Sequence, residues 1–437
     1  GFLHPQCLLF ILLKLHISVI LTNSLISISL PPNLYPITSN ICQPPRKITK
    51  KSPYHQLQFA YPAKKHYFCR LFGGYMRNIL CISFYGAAWG GSFIPAMLAL
   101  EQEAAARGVG LTFVFPLMGQ KQLWAKSFPD ALWIDNRFFL KRGLSLNVVS
   151  QLVKVMRRLR ITDIVTNFVG YNANMRILCV IYRGGYSQVV HNTFHLPSPT
   201  WWKRKLKLML LEGTYNKFIG VSGWVADSLA SHGLSPHKVS YVNNAVDFKR
   251  LAQWQNADFR QAPDEILIFM MGWPYHVKGV DLAIRAVRHL RDTGINAVLL
   301  TPHSNIINDL KADMGDLPPF VRFVKAREDV ATFYNNVDIF LCASREEGLS
   351  YAVIEAVCAK CLVLCSDIPS VTGLNIPNIP LFSAGNWQDL CGQLKFCIEN
   401  KTSLLAHKQE QRQYVMQEFD MDRWAKNMLN TILQTTA

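Results

Sequence analysis

From Ile79 onward, short unbroken apolar runs alternate with longer stretches in which apolar side chains recur every three or four positions. The first pattern reads as buried strands and the second as amphipathic helices. It predicts strands over 79–85, 110–116, 132–134, 163–166, 188–191, 218–222 and 239–242. Helices are predicted around Met97, Leu98, Leu100 and Ala104, and over 145–160, 174–182, 200–215 and 224–232. A polar stretch, 253–264, contains Pro263 and reads as a linker. A second series follows, with strands over 266–271, 297–301, 321–324, 337–342 and 362–365. Its helices are expected over 280–292, 329–336, 387–399 and 402–418, with a last one starting near Met421. Strands alternating with helices in this way predict two consecutive parallel α/β units with a ligand crevice between them.

Two strand–turn–helix junctions carry the candidate chemistry. The first is Gly86-Ala87-Ala88-Trp89-Gly90-Gly91-Ser92, whose paired glycines let backbone amides approach a ligand. The second is Ser344-Arg345-Glu346-Glu347-Gly348-Leu349-Ser350-Tyr351, which leads into a helix carrying Ile354, Glu355 and Val357. A helix start offers unpaired amides and the positive end of the dipole, which suits phosphate. Carboxylates beside a phosphate are repulsive, so Glu347 and Glu355 are expected to face sugar hydroxyls, for which a carboxylate is a good acceptor. The bland alternative is a tight turn whose acids cap a helix. His191 and His195 follow the 188–191 strand, where a side chain reaches the crevice of an open sheet; a packed or solvent-facing histidine is the competing reading.

The 437 residues carry 46 Lys and Arg against 29 Asp and Glu. Residues 1–75 hold eight of the basic side chains and no acid, leaving 38 against 29 in the remainder. That balance favours anionic membrane surfaces or phosphorylated ligands. Nucleic acid is not expected, since zinc-finger spacing, helix-turn-helix and RNP-type signatures are all missing from the sequence. The eleven cysteines are odd in number and sit mostly in apolar runs, which argues for buried thiols in a reducing compartment. Cys358, Cys361 and Cys365 are read as structural thiols rather than a metal cluster. The stretch 200–215 has paired tryptophans, four basic residues and a leucine face, which makes it a candidate interfacial helix. Residues 7–30 are apolar and 31–75 are rich in Pro, Tyr and Lys without periodicity. We expect residues 1–75 to be a non-native or disordered, apolar extension, with Met76 as the native start. A membrane anchor or uncleaved signal is the alternative.

Four ordered motifs resemble the retaining glycosyltransferases of family four. Glu347 to Ala356 resembles the family's Glu-x7-Glu signature, and Gly272-Trp273-Pro274-Tyr275-His276-Val277-Lys278-Gly279-Val280-Asp281 resembles its donor-phosphate turn. Val221-Ser222 with Asn243 to Asp247 is similar to its interdomain region, and Tyr334 to Leu341 to the strand before the signature. The nearest likeness is to bacterial capsular or exopolysaccharide enzymes. The resemblance implies a GT-B fold: two Rossmann-like α/β domains facing across a cleft, with the C-terminal helix crossing back to the first. The corresponding boundaries are 76–255 for the acceptor-binding domain, 256–418 for the donor-binding domain and 419–437 for the returning helix.

Carried over by position, the resemblance implies that Lys278 neutralises the donor diphosphate, Glu347 contacts the transferred sugar and Glu355 binds the ribose diol. The amides of Leu349, Ser350 and Tyr351 would meet phosphate, and Gly91 would approach the diphosphate from the other domain. His191 or His195 would stand near the reacting sugar. No metal is implied and no cofactor beyond the donor substrate; Asp420-Met421-Asp422 has metal-like spacing but is expected to cap the last helix. Many relatives carry an arginine where Trp273 stands, so phosphate neutralisation is expected to rest on Lys278 and the helix dipole. The implied reaction is retaining transfer of a hexosyl unit from a nucleotide-diphosphate sugar to a lipid-linked or oligosaccharide acceptor. It would take place in the cytoplasm, at the inner face of a bacterial membrane contacted through 200–215. The alternatives are a nucleotide-sugar epimerase of the same fold and a non-catalytic subunit of a polysaccharide-assembly complex.

Overall fold

A computed structural model describes residues 77–140, 143–170, 172–193 and 200–434. The expectations for residues 1–75 and for His195 fall outside the described residues.

The first sheet has seven parallel strands: β1 (Asn78–Ser83), β2 (Gly110–Pro116), β3 (Leu132–Ile134), β4 (Asp163–Asn167), β5 (Gly185–Val190), β6 (Lys217–Gly220) and β7 (Val239–Tyr241). Their order is β3-β2-β1-β4-β5-β6-β7. Ile79, Leu80, Cys81 and Ile82 of β1 are all fully buried. That is why β1 is a continuous apolar run instead of an alternating one: a parallel sheet is covered on both faces. The second sheet has six parallel strands: β8 (Ile266–Phe269), β9 (Ala297–Thr301), β10 (Val321–Phe323), β11 (Ile339–Cys342), β12 (Leu362–Ser366) and β13 (Leu381–Phe382). Their order is β10-β9-β8-β11-β12-β13. Helix Val280–Asp292 packs Val280, Ile284 and Val287 onto this sheet and leaves Arg285, Arg288 and Arg291 outside. In each sheet the strand order reverses at one place, between β1 and β4 and between β8 and β11. Ligand crevices form at such reversals, beyond the carboxyl ends of the strands.

The expected helix over 402–418 is two helices, Lys401–Ala406 and Lys408–Glu418, meeting at His407. No proline or glycine marks the break. The second piece turns to lie against helix Tyr351–Cys358, where Arg412 Nε donates to the Cys358 carbonyl at 3.0 Å. Helix Ile307–Met314 and strand β13 were not expected, being short and without a clear period.

Asp420 caps the last helix, Met421–Leu433, accepting from the Arg423 amide at 2.8 Å. This helix packs on Phe93–Ala106, the first helix of the opening domain, through buried Trp424, Met428, Leu429 and Ile432. Arg77 Nη1 donates to the Leu433 carbonyl at 2.8 Å and Arg107 Nη1 to Asn430 Oδ1 at 2.5 Å. The last described helix therefore packs on the domain in which the described residues begin. Among the described residues no helix is long and apolar enough to cross a membrane. Cys358, Cys361 and Cys365 are buried free thiols, and no three His, Cys, Asp or Glu of the described residues converge as a metal site.

Candidate active site

The site is built on the β8/β11 reversal. The loop after β8 runs through Gly272 to Gly279, and the loop after β11 runs from Ala343 to Ser350. The two are pressed together. Gly279 has φ +65°, and a Cβ there would lie 2.0 Å from the Ala343 carbonyl oxygen. Arg345 clamps the same contact: its two Nη atoms donate to the two carboxylate oxygens of Asp281 at 2.8 and 2.7 Å, and Nη1 also donates to the His276 carbonyl at 2.6 Å. This bidentate, half-buried pair fixes the position of the residue before Gly279. Lys278 Nζ consequently meets Glu347 Oε1 at 2.5 Å. Ser344 Oγ donates to the same oxygen at 2.8 Å, and Ser366 Oγ holds the Ser344 carbonyl at 2.6 Å. A shallow depression is lined by Met271, Lys278, Ser344, Glu347 and Ser350.

The tip of the β11 turn touches the other domain. A Cβ at Gly348 would stand 2.0 Å from the His191 carbonyl oxygen and 3.1 Å from Asn192 Cα. Ser222 Oγ donates to the Gly348 carbonyl at 2.7 Å, while also capping helix Gly223–Ser231 by accepting from the Val225 amide. His191 directly follows β5. Its ring stacks on Phe168, with centroids 3.8 Å apart, and its Nε2 lies 3.2 Å from Asn167 Oδ1. Burial holds the imidazole down to about 3, so the ring is neutral at physiological pH. Phe168 has φ +57°, a strained conformation for a bulky residue, and it lies at the β1/β4 reversal immediately after β4.

Glu355 is buried in the second turn of helix Tyr351–Cys358. Its Oε1 accepts from Arg250 Nη2 and from Ser92 Oγ at 3.5 Å; its Oε2 accepts from the Tyr334 hydroxyl at 3.3 Å. Burial raises its carboxyl above the usual range, opposed chiefly by the Arg250 charge. The two acids of the signature are thus separated: Glu347 faces Lys278, and Glu355 faces Arg250 and Ser92. Among the backbone donors, Tyr351 N–H already donates to the Leu349 carbonyl at 3.0 Å. Leu349 and Ser350, both buried, lie on the turn just before the helix. Gly91 has φ +54° and room around its Cα position, with only Tyr85 Oη within 4 Å of a built Cβ. It precedes Ser92 at the start of helix Phe93–Ala106.

Several members of the site were not expected. Arg250, Tyr334 and Ser92 surround Glu355, and Ser222 holds Gly348. His303 follows β9 and accepts from the Gly272 amide at 3.2 Å. Burial, and then the Lys278 charge, lowers His303 to about 4. Trp273 is exposed on the loop after β8. Ser92, Ser222 and Tyr334 lie within the motifs quoted above, and Arg250 lies three residues beyond Asp247 of the interdomain motif, but nothing local showed which side chains they meet.

Two parallel-sheet domains with a returning C-terminal helix define the GT-B fold. Residues 265–400, which hold Lys278, Glu347 and Glu355, match the family described as Glycosyl transferases group 1. The chain is 24% identical over 173 residues to the lipopolysaccharide core biosynthesis mannosyltransferase LpcC of Rhizobium leguminosarum bv. viciae. That alignment covers 37% of this chain and 49% of LpcC, so the chain spans about half the length of the curated relative it matches. The structure is similar to that of a glycosyltransferase from Rickettsia africae ESF-5, with TM-score 0.65 at 15% identity, over 83% of this chain and 99% of that one. It is also similar to Anabaena Alr3699/HepE in complex with UDP and glucose, with TM-score 0.63 at 14% identity, over 82% of this chain and 100% of that one. At these identities the two structures bear on the fold alone.

Gly348→Ala is expected to force the β11 turn away from His191, because its neighbour there is backbone and cannot rotate aside. Its midpoint of thermal unfolding should fall below that of the unaltered chain, and an unchanged midpoint would contradict the close contact.

Proposed function

We propose that this chain is a retaining glycosyltransferase. It moves a hexosyl unit from a nucleotide-diphosphate sugar to a lipid-linked or oligosaccharide acceptor in bacterial surface-polysaccharide synthesis. The observation that carries this reading is the Lys278–Glu347 pair at 2.5 Å, set at the β8/β11 reversal inside the segment matching Glycosyl transferases group 1. One donor molecule presents anionic phosphate and neutral hydroxyls on adjacent groups. A cation and an acid side by side, next to a helix start, suit that pairing.

In the proposed reaction the bond between the sugar's anomeric carbon and the phosphate oxygen breaks. The acceptor oxygen bonds to the same carbon on the same face, and the acceptor proton passes to the departing phosphate oxygen. Lys278 stabilises the charge growing on that phosphate, and the residues around the turn contribute orientation. Glu347 contacts the transferred sugar and Glu355 the ribose. His191, neutral, offers a ring at the acceptor side without adding charge. The absence of metal dependence belongs to the same proposal and rests on the family resemblance.

Losing one charge contact to a leaving group typically costs about 3 kcal/mol, or roughly a hundredfold in rate. Lys278→Ala should lower turnover of the preferred nucleotide sugar by at least that factor, with an unchanged circular dichroism spectrum. Near-normal turnover would defeat the assignment. The same assay, run on a panel of nucleotide sugars with a lipid-diphosphate acceptor, distinguishes transfer from interconversion of the free donor and from inert binding.

We read helix Trp201–Glu212 as the membrane-facing element. Trp201 and Met209 are well exposed, Trp202 is exposed beside Lys203, and Arg204, Lys205 and Lys207 share the helix. Indole rings with basic side chains suit an anionic lipid interface. Trp201→Ala with Trp202→Ala should reduce co-sedimentation with phosphatidylglycerol vesicles several-fold; equal sedimentation would remove the membrane assignment.

A further inference from the structure

We propose that Arg250 is a positioning residue for the nucleotide: it fixes the buried Glu355 carboxylate, as an anion, toward the ribose diol. The proposal rests on the reading of Glu355 as the ribose-contacting acid.

Arg250 sits on the short helix Phe248–Leu251, in the segment that joins the two sheets. Its Nη2 donates to Glu355 Oε1, its Nη1 donates to the Glu328 carbonyl at 3.2 Å, and its Nε is buried without a partner among the described residues. The helix is held in turn by Asp247, which accepts from the Lys249 and Arg250 amides. The Asp247 amide donates to Ser92 Oγ at 3.4 Å, and Ser92 Oγ donates to Glu355 Oε1. Opening domain, connecting segment and second domain thus meet around one carboxylate.

A ribose diol supplies two O–H donors and requires acceptor lone pairs. A carboxylate offers about four such positions; once protonated it loses part of that capacity. Burial alone favours protonation of Glu355. The group facing it from a neighbouring element is Tyr334, with Tyr351 and Cys358 on its own helix and Tyr85 beyond Arg250. Burial raises all four of those groups, so they are neutral near pH 7 and contribute no cation. Arg250 is the positive charge acting on Glu355 among the described residues. Its contact is also the firm one. The Ser92 and Tyr334 contacts are longer, at 3.5 and 3.3 Å, and those are the ones a diol would displace.

The test is calorimetric titration of UDP, GDP and ADP, each against its 2′,3′-dideoxy analogue, from pH 6 to pH 8. The ribose-to-dideoxy affinity ratio cancels the ionisation of the phosphates themselves. In the unaltered chain the ratio should be about tenfold or more and flat with pH. In Arg250→Gln it should collapse at pH 6 by about tenfold, as the unpaired buried carboxyl takes up a proton, and recover toward pH 8. Arg250→Lys keeps the charge and should hold the ratio within about threefold, which keeps the proposal testable if the glutamine variant does not fold. A ratio in Arg250→Gln that stays normal, or that falls equally at every pH, overturns the proposal, as does a pH-independent tenfold loss in Arg250→Lys. Equal affinity for ribose and dideoxy nucleotides in the unaltered chain overturns it while leaving the diphosphate reading intact. Failure of that chain to bind any of the three nucleotides overturns the nucleotide reading itself, and the proposal with it.

Discussion

The geometry of the cleft depends on how closely Gly348 approaches the backbone at His191. A hydrogen is the largest substituent the position accepts, because a Cβ would fall 2.0 Å from a carbonyl oxygen. This contact carries the turn after β11 to the opening domain, and Ser222 fastens it there. With the tip pinned, Glu347 on one side turns back toward Lys278, and the helix start on the other side faces the crevice. The final helix closes the arrangement from a distance by returning to pack on Phe93–Ala106.

Three ion pairs divide the work around that turn. Arg345 with Asp281 is structural, holding one loop against the other. Lys278 with Glu347 brings together the groups suited to a phosphate and a sugar. Arg250 with Glu355 lies deeper and ties the connecting segment to the second domain. A buried pair of this kind is expensive to break by removing one partner, since the remaining charge is left without compensation. The sharing of Glu355 among Arg250, Ser92 and Tyr334 is therefore as much a constraint on the domain junction as a feature of a binding site.

Much of the fold was legible in the pattern of apolar positions. β2, β3, β9 and helices Val280–Asp292 and Trp387–Glu399 fall where the periodicity put them, because long amphipathic helices and short unbroken apolar strands leave strong local signals. The break at His407 was not legible, because it answers to packing against helix Tyr351–Cys358. That Lys278 and Glu347 belong to one site could be read from the motifs, since both lie on loops of adjacent strands; that they pair with one another emerges only in the structure. The surroundings of Glu355 could not: Ser92, Arg250 and Tyr334 are separated from it by 263, 105 and 21 residues. Likewise, Gly348 reads in sequence as a turn residue; that it abuts His191 is a property of the domain packing.

The account stands most directly on where a nucleoside diphosphate sits. A crystal structure with bound nucleotide should place the diphosphate between Lys278 and the start of helix Tyr351–Cys358, and the ribose hydroxyls on Glu355 with Arg250 still paired to it. Density for the nucleotide elsewhere, or a diphosphate that leaves Lys278 on Glu347 and makes no contact with that helix start, would contradict it.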